Sequence, residues 1–512
     1  MTTKLTRRGV MVAGAGAAVG AAALFARSAG AAPAGGGGGT AFTHATVIDP
    51  DQSRVYHDTT VLVRGDRIEA VGPTGALGVP DGARVVDLRG RFVVPGLADM
   101  HTHGQAEWLD PALNVANGVT TVREMSGTPA VRDWRAKIDA GTLLGPRYTI
   151  SSPIIDGAPS IWDPALLKIV QVADAREARE AVRTVVADGA DFVKTYSRLS
   201  RSAFRAIAAE AHRLGVPFAG HCPDEVPSEE AADLGQASVE HVFSAAYDAS
   251  SREREIRAEI ARIRLELGDY AGWFAAIHPV ELTAANSYSP SKASRLFAKF
   301  ARRRTRQVPT LAMHRGLDFA RTLDVPADPR SKYLAAEMIG SQQYALDELY
   351  LKERTPAQDA EWAAMFDHRL TIVGAMHKAG VPIMTGTDTG TCGVFPGFSV
   401  HDELALFVDA GLSPMAALAA STAEPARFLG ANAGRVAPGA AADLVVLGAD
   451  PLADIRNSQR IDGVVVRGRY VDAAEREQIL SDVAETAASG PAVAPAGGCL
   501  CHGATRAAAQ PA

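Results

Sequence analysis

Between Pro95 and Ala433, short apolar runs alternate with amphipathic helical stretches, and this alternation constrains the fold more than any other feature. Strands are predicted over 96–100, 119–123, 148–152, 192–195, 217–220, 238–240, 308–313 and 382–386. Short runs bounded by turn residues read as strands, and a 3.6-residue apolar period reads as helix. Helices are clearest over 174–188 and 201–214, and the second stops at Gly215 with Pro217 after it, a normal helix end. Eight strands alternating with helices imply a (β/α)8 TIM barrel, an α/β fold whose functional groups come from the C-terminal strand ends. Two connections, 243–307 and 315–380, are long, charged and helical. Connections of that length serve as lids, specificity elements or subunit contacts.

The flanks read differently. Residues 42–94 contain β-rich runs over 43–48, 59–64, 68–72 and 85–87, and a matching set returns over 443–447 and 463–466 within 434–475. Neither flank has enough strands to close a core, so a small β-sandwich built from both is expected around a barrel spanning 95–433. Residues 1–34 form an export signal: Lys4, Arg7 and Arg8 precede an apolar run over 10–25 and a small-residue stretch over 28–34. Thr6-Arg7-Arg8-Gly9-Val10-Met11 resembles a twin-arginine signal, which places the mature chain outside the cytoplasm, secreted or in the cell envelope of a bacterium. The run is too short and too rich in Gly and Ala for stable membrane insertion. A glycine linker covers 35–41, and a C-terminal helix and disordered tail cover 476–512, the tail carrying Cys499, Cys501 and His502. At 512 residues and 47% hydrophobic, the chain can bury a large core. A net charge of −6 without a basic stripe argues against a nucleic-acid partner, while a homo-oligomer stays open.

The chemistry-bearing residues fall at the predicted strand ends. Val93 to His103 runs through a Pro-Gly turn into Leu97-Ala-Asp-Met100 and ends on His101 and His103. On extended backbone, residues i and i+2 face the same side, so both imidazoles can meet one divalent metal. A His-x-His alone is weak; the rest of the chain strengthens it. Lys194 ends the run Asp191-Phe-Val, His221 ends Pro217-Phe-Ala-Gly, His241 ends Ser238-Val-Glu and Asp388 follows Ile383-Met-Thr-Gly-Thr. Each has an ordinary alternative: a solvated lysine tip, a satisfied core histidine, an Asx turn or helix cap. Their joint placement at strand ends one, four, five, six and eight is what departs from chance.

With Pro95-Gly-Leu-Ala-Asp-Met-His-Thr-His103, Phe192-Val-Lys-Thr-Tyr196, Gly220-His221, Glu240-His241 and Gly386-Thr-Asp-Thr389, the chain resembles the amidohydrolase superfamily, in its imidazolonepropionase-like and prolidase-type branch. The resemblance implies two divalent metal ions. His101, His103 and Asp388 would hold the more buried one, His221 and His241 the more exposed, and a carbamylated Lys194 would bridge them. Zinc is the default for such a His-rich set, with manganese, cobalt or iron also compatible. It further implies hydrolysis of an amide bond in a small molecule, such as an Xaa-Pro dipeptide or an N-acyl amino acid, with Asp388 moving the proton of the attacking water. Tyr196 could hydrogen-bond the developing oxyanion or simply pack, and His314 and Arg315, after strand seven, could meet a substrate carboxylate. The same centre could open a lactone, a carbamate or an organophosphate ester. A non-catalytic binding module fits poorly, because every ligand position is filled.

Overall fold

The structure, a computed structural model, describes residues 39–164, 167–352 and 354–490. The residues expected to form an export signal, most of the glycine linker, and the tail with Cys499, Cys501 and His502 lie outside the described residues. Among the described residues no helix is long and apolar enough to cross a membrane.

The N-terminal flank forms β1 (Thr40–Asp49), β2 (Arg54–Arg64), β3 (Arg67–Pro73), β4 (Arg84–Asp87) and β5 (Phe92–Pro95). The parallel strands of the middle are β6 (Leu97–Thr102), β7 (Val119–Glu124), β8 (Arg147–Ile150), β9 (Ile154–Gly157), β10 (Ile169–Val172), β11 (Val193–Thr195), β12 (Phe218–Gly220), β13 (Ser238–Glu240) and β14 (Arg306–Val308). The C-terminal flank adds β15 (Leu444–Leu447), β16 (Ile461–Val466) and β17 (Arg469–Asp472).

Both flanks do join. They share one eight-stranded sheet in the order β17-β16-β15-β5-β1-β2-β3, with β4 on the edge of β1. The seam is antiparallel, pairing Leu444 with Pro95 and Leu447 with Phe92. Phe42, Val47, Val61, Val93, Leu444 and Val465 bury their side chains in one cluster beneath it, so the two ends of the chain supply a core that neither could build alone.

In the middle, β6-β7-β8 and β10-β9-β11-β12-β13-β14 form two parallel sheets. Every residue of β6 is buried, as expected where helices cover both faces of parallel strands. Isolated parallel bridges continue the ladder: Ser151 with Phe192 links the two sheets, Gln307 with Ile383 extends it past β14, and Thr102 with Thr389 returns it to β6. The predicted helices are present as Ala175–Ala187, capped by Asp174, and Arg201–Leu214, ended by Gly215 in the left-handed region.

Three expectations need correction. The seventh strand is β14 and ends at Val308; Leu311–Asp318 is a helix. Pro309 cannot donate to a ladder, and Thr310 turns the chain with φ +50°. The next two amides, Leu311 and Ala312, then donate to the Glu403 carboxylate at 2.9 and 2.7 Å. A short apolar run reads equally as buried strand or buried helix. The eighth segment, 382–386, makes bridges and single backbone bonds, such as Met100 N to Thr385 O at 2.9 Å, rather than a continuous strand. Finally, β9 and β10 form an excursion after β8 that the sequence pattern did not reveal.

Candidate metal centre

At the C-terminal ends of these strands the side chains of His101, His103, Lys194, His221, His241 and Asp388 all line one cavity. The imidazole centroids lie close: His101 to His103 5.3 Å, His101 to His241 4.9 Å, His221 to His241 4.8 Å. Asp388 Oδ1 is 3.4 Å from His101 Nε2 and 3.1 Å from His103 Nε2, and Lys194 Nζ is 3.5 Å from His101 Nε2. All six residues expected from the sequence therefore meet.

Close packing of the strand ends explains the local motifs. A Cβ on Gly220 would lie 2.4 Å from the Thr195 carbonyl, and one on Gly386 would lie 2.3 Å from Val308 Cγ1 and 2.9 Å from His101 Cβ. Only glycine lets His221 and Asp388 follow at this spacing. His241 and Asp388 themselves sit at φ +63° and +61°, conformations that cost non-glycine residues free energy and persist where surroundings enforce them. Asp99 supplies part of that enforcement. Its Oδ1 accepts from the Thr387 amide at 3.0 Å and its Oδ2 from the Thr387 hydroxyl at 2.6 Å, tying β6 to the loop that carries Asp388.

A second set of residues, not singled out from the sequence, orients the imidazoles. His101 Nδ1 meets Glu240 Oε2 at 2.9 Å, His103 Nδ1 meets Ser126 Oγ at 2.5 Å, His221 Nδ1 meets Ser197 Oγ at 2.8 Å and His241 Nδ1 meets Thr310 Oγ1 at 2.6 Å. With each Nδ1 engaged from behind, Nε2 is the nitrogen left to each ring for a ligand, and those of His101 and His103 lie against Asp388. This is the arrangement that fixes tautomer and ring orientation in metal-binding histidines. Glu240 is held in turn by Arg123, whose Nη2 donates to Oε2 at 2.7 Å while its Nε donates to the Met100 carbonyl at 2.6 Å. The only sequence signal for Glu240 was its place before His241.

The electrostatics fit the same reading. Burial lowers the His101, His221 and His241 pKa values, the last to about 4, which favours the neutral ring with a lone pair to donate, whereas at His103 burial is outweighed by the hydrogen bond to Asp388, which raises it. Burial lowers the Lys194 amine to about 8, well below an exposed lysine. Burial also works against an ionised Asp388, but His101 and the hydrogen bond from His103 outweigh it and hold the carboxyl below its usual range. Neutral imidazoles with a buried carboxylate are a hard-to-borderline donor set suited to divalent first-row metals. The tightest group among the described residues, His101, His241 and Asp388, has donor atoms within 4.8 Å of one another. It takes a histidine from each of the two sets that the sequence resemblance implies.

Above the donors the cavity has about 860 Å³ of empty space, counting the part open to solvent. Tyr196 lies where expected, on the wall, its ring stacked on His221 at 4.0 Å. His314 also lines the cavity, its ring 6.1 Å from that of His241. Arg315 does not. Because 311–318 is helical, the next residue is rotated by about 100°, and Arg315 pairs with Asp402 at 3.2 Å on the other side. The rest of the wall comes from the β9–β10 excursion and from helices of the two long connections, with Trp162, Tyr270, Trp273, Phe274, Tyr350 and Trp362 facing the cavity.

Parallel strands that end on a histidine–lysine–aspartate cluster, each ring oriented from behind, define an α/β protein with a group of residues able to hold a metal ion. The model of the Amidohydrolase family matches residues 92–471, and the chain belongs to that family. It is similar to the imidazolonepropionase of Cereibacter sphaeroides, 24% identical over 415 residues that cover 78% of this chain and 90% of that protein. The match to the Deinococcus radiodurans imidazolonepropionase is 38% identical but spans 88 residues, 17% of this chain and 16% of that protein. That to the Pseudomonas entomophila enzyme is 24% identical and spans 36% of this chain and 44% of that protein. Among solved structures, a bottromycin amidohydrolase superposes with TM-score 0.70 at 23% identity, covering 93% of this chain and 94% of that one. A Xaa-Pro dipeptidase with methionine bound in its active site superposes with TM-score 0.60 at 19% identity, covering 85% and 99%. These two likenesses are likenesses of fold.

Proposed function

We propose that this protein hydrolyses a carbon–nitrogen bond, the amide of a small substrate such as an Xaa-Pro dipeptide or an N-acyl amino acid. The observation that carries the proposal is the convergence of four back-oriented histidines with Lys194 and Asp388 at the closed end of one cavity. Residues named by the family resemblance would hold two divalent ions, zinc foremost: His101, His103 and Asp388 one, His221 and His241 the other. Bound there, such ions would acidify an attacking water and polarise the scissile carbonyl. Lys194, buried and with a lowered amine pKa, can attack CO2 through its nitrogen lone pair and release a proton, and the carbamate so formed would supply oxygen ligands to the ions. Asp388, kept ionised by its histidine neighbours, accepts the proton of the attacking water and delivers it to the leaving nitrogen. Tyr196 stands beside His221, placed to donate to the oxygen that gains charge. The aromatic wall excludes water and packs against the apolar part of the substrate.

Two further readings accompany this one. The isolated bridges that link β8 to β11, β14 to 383, and 389 to β6 support a closed eight-membered barrel with the flanking β unit beside it. The arginine pair at Arg7 and Arg8 supports export by the twin-arginine route.

The test is a hydrolysis screen of dipeptides, N-acyl amino acids and lactones with added zinc or manganese. Chelator-treated protein and a Lys194→Ala variant serve as controls. Amide turnover that both controls abolish is the expected result. Turnover confined to lactones or esters would transfer the centre to the second substrate class, and a folded protein that binds no metal would end the enzymatic reading.

A further inference from the structure

The wall opposite the metal donors carries buried polar atoms without partners. Helix Tyr270–Asn286 turns Tyr270, Trp273, Phe274, Ile277 and Glu281 into the cavity, the i, i+3, i+4, i+7, i+11 stripe of one helix face. An apolar stripe that ends in a carboxylate is unusual, because a buried charge costs free energy unless it is matched. Glu281 is only 6% exposed and its Oε1 has no hydrogen-bond partner. Its other oxygen accepts from Arg369 Nη2 at 3.2 Å, and Arg369 Nε donates to Asp318 Oδ2 at 2.9 Å. Away from the metal donors these three are the charged residues that line the cavity, so one guanidinium faces two carboxylates.

His314 shares a helix face with Asp318, one turn away, and lies between that cluster and His241. It is 1% exposed and its Nε2 is likewise unpartnered. The ring beside this cluster is Phe243, 5.0 Å from His314 and covered by Arg369 at 5.6 Å; the stacked pairs Trp162–Tyr270 and Phe274–Trp362 line the same cavity further along. An anionic group entering here would meet two carboxylates, with Arg369 already committed to both. A cationic group would meet the open carboxylate oxygen of Glu281.

We propose that this end of the cavity is a cation subsite, in which Glu281 accepts hydrogen bonds from an ammonium or guanidinium carried by the substrate. The subsite lies beyond His314, whose ring is itself 6.1 Å from that of His241, so the cation sits on a flexible arm rather than beside the scissile bond. As a statement about the substrate this rests on the amide-hydrolase reading; as a statement about binding it does not.

The probe is n-butylguanidinium, compared with n-butylurea, its neutral near-isostere. Binding to the full-length protein is followed through quenching of tryptophan fluorescence, since Trp162, Trp273 and Trp362 line the site. The guanidinium should bind about tenfold or more tightly than the urea, in keeping with a desolvated charge-assisted hydrogen bond. Glu281→Gln should remove most of that preference, weakening the guanidinium far more than the urea. Equal binding of the two probes to the wild type would overturn the subsite without recourse to any variant. So would an undiminished preference in folded Glu281→Gln. A failure of the amide reading would appear in the hydrolysis screen and leave this comparison intact.

Discussion

The floor and the wall of the cavity are built under different constraints. On the floor, His221 and Asp388 follow glycines that cannot be replaced without collision, and His241 and Asp388 hold left-handed backbone. Each imidazole is braced from behind by a side chain of another strand or loop. On the wall, Tyr270, Phe274 and Trp362 stand on helices of the long connections and touch one another through ring contacts, with a hydrogen bond of 3.3 Å between the Tyr270 and Tyr350 hydroxyls. The contrast teaches where chemistry and selectivity reside: a floor locked by short-range geometry, and a wall of interchangeable apolar faces with one polar corner.

Substitutions on the two sides should therefore differ in kind. Asp388→Asn should lower kcat by about 10²–10⁴-fold, the loss typical of a general acid–base group, as read in steady-state kinetics on the best amide found by the screen. Glu240→Gln should come next. It leaves the fully buried Arg123 without a counter-charge, a change that costs on the order of 3–5 kcal/mol for a broken buried pair and should appear as a lower Tm in calorimetry. Ser197→Ala removes only the group behind His221. It should weaken metal binding by about 10–100-fold in a chelator competition while leaving the melting transition close to that of the wild type. Trp273→Leu, on the wall, should raise KM for bulky substrates by no more than about tenfold and leave metal content unchanged. A wall variant that released metal, or a floor variant that altered only KM, would erase the distinction.

The same contrast explains what could be read from the sequence. The six donors were legible because each ends a short apolar run, and a strand's two-residue period aims its last side chains without knowledge of distant contacts. Their bracing partners were not, because Ser126, Ser197 and Thr310 are ordinary polar residues until the fold brings them behind a histidine. Arg315 was misplaced for a local reason. Leu311-Ala-Met313 is apolar enough for either a strand or a buried helix, and the helix turns His314 and Arg315 apart. The wall was hidden for a long-range one. Phe274 and Trp362 are far apart in sequence, and the apolar stripe of Tyr270–Asn286 looks the same whether it faces a core or a cavity. The joining of the two flanks was legible because neither could be stable by itself.

The central claim is that the floor binds a pair of divalent ions with Lys194 between them, and elemental analysis of reconstituted protein tests it most directly. Wild-type chain loaded with zinc in the presence of bicarbonate should retain two ions per chain after desalting. Lys194→Ala, folded to the same extent, should retain fewer. Wild-type protein that keeps no metal, or a Lys194→Ala variant that keeps both ions as tightly, would contradict the account.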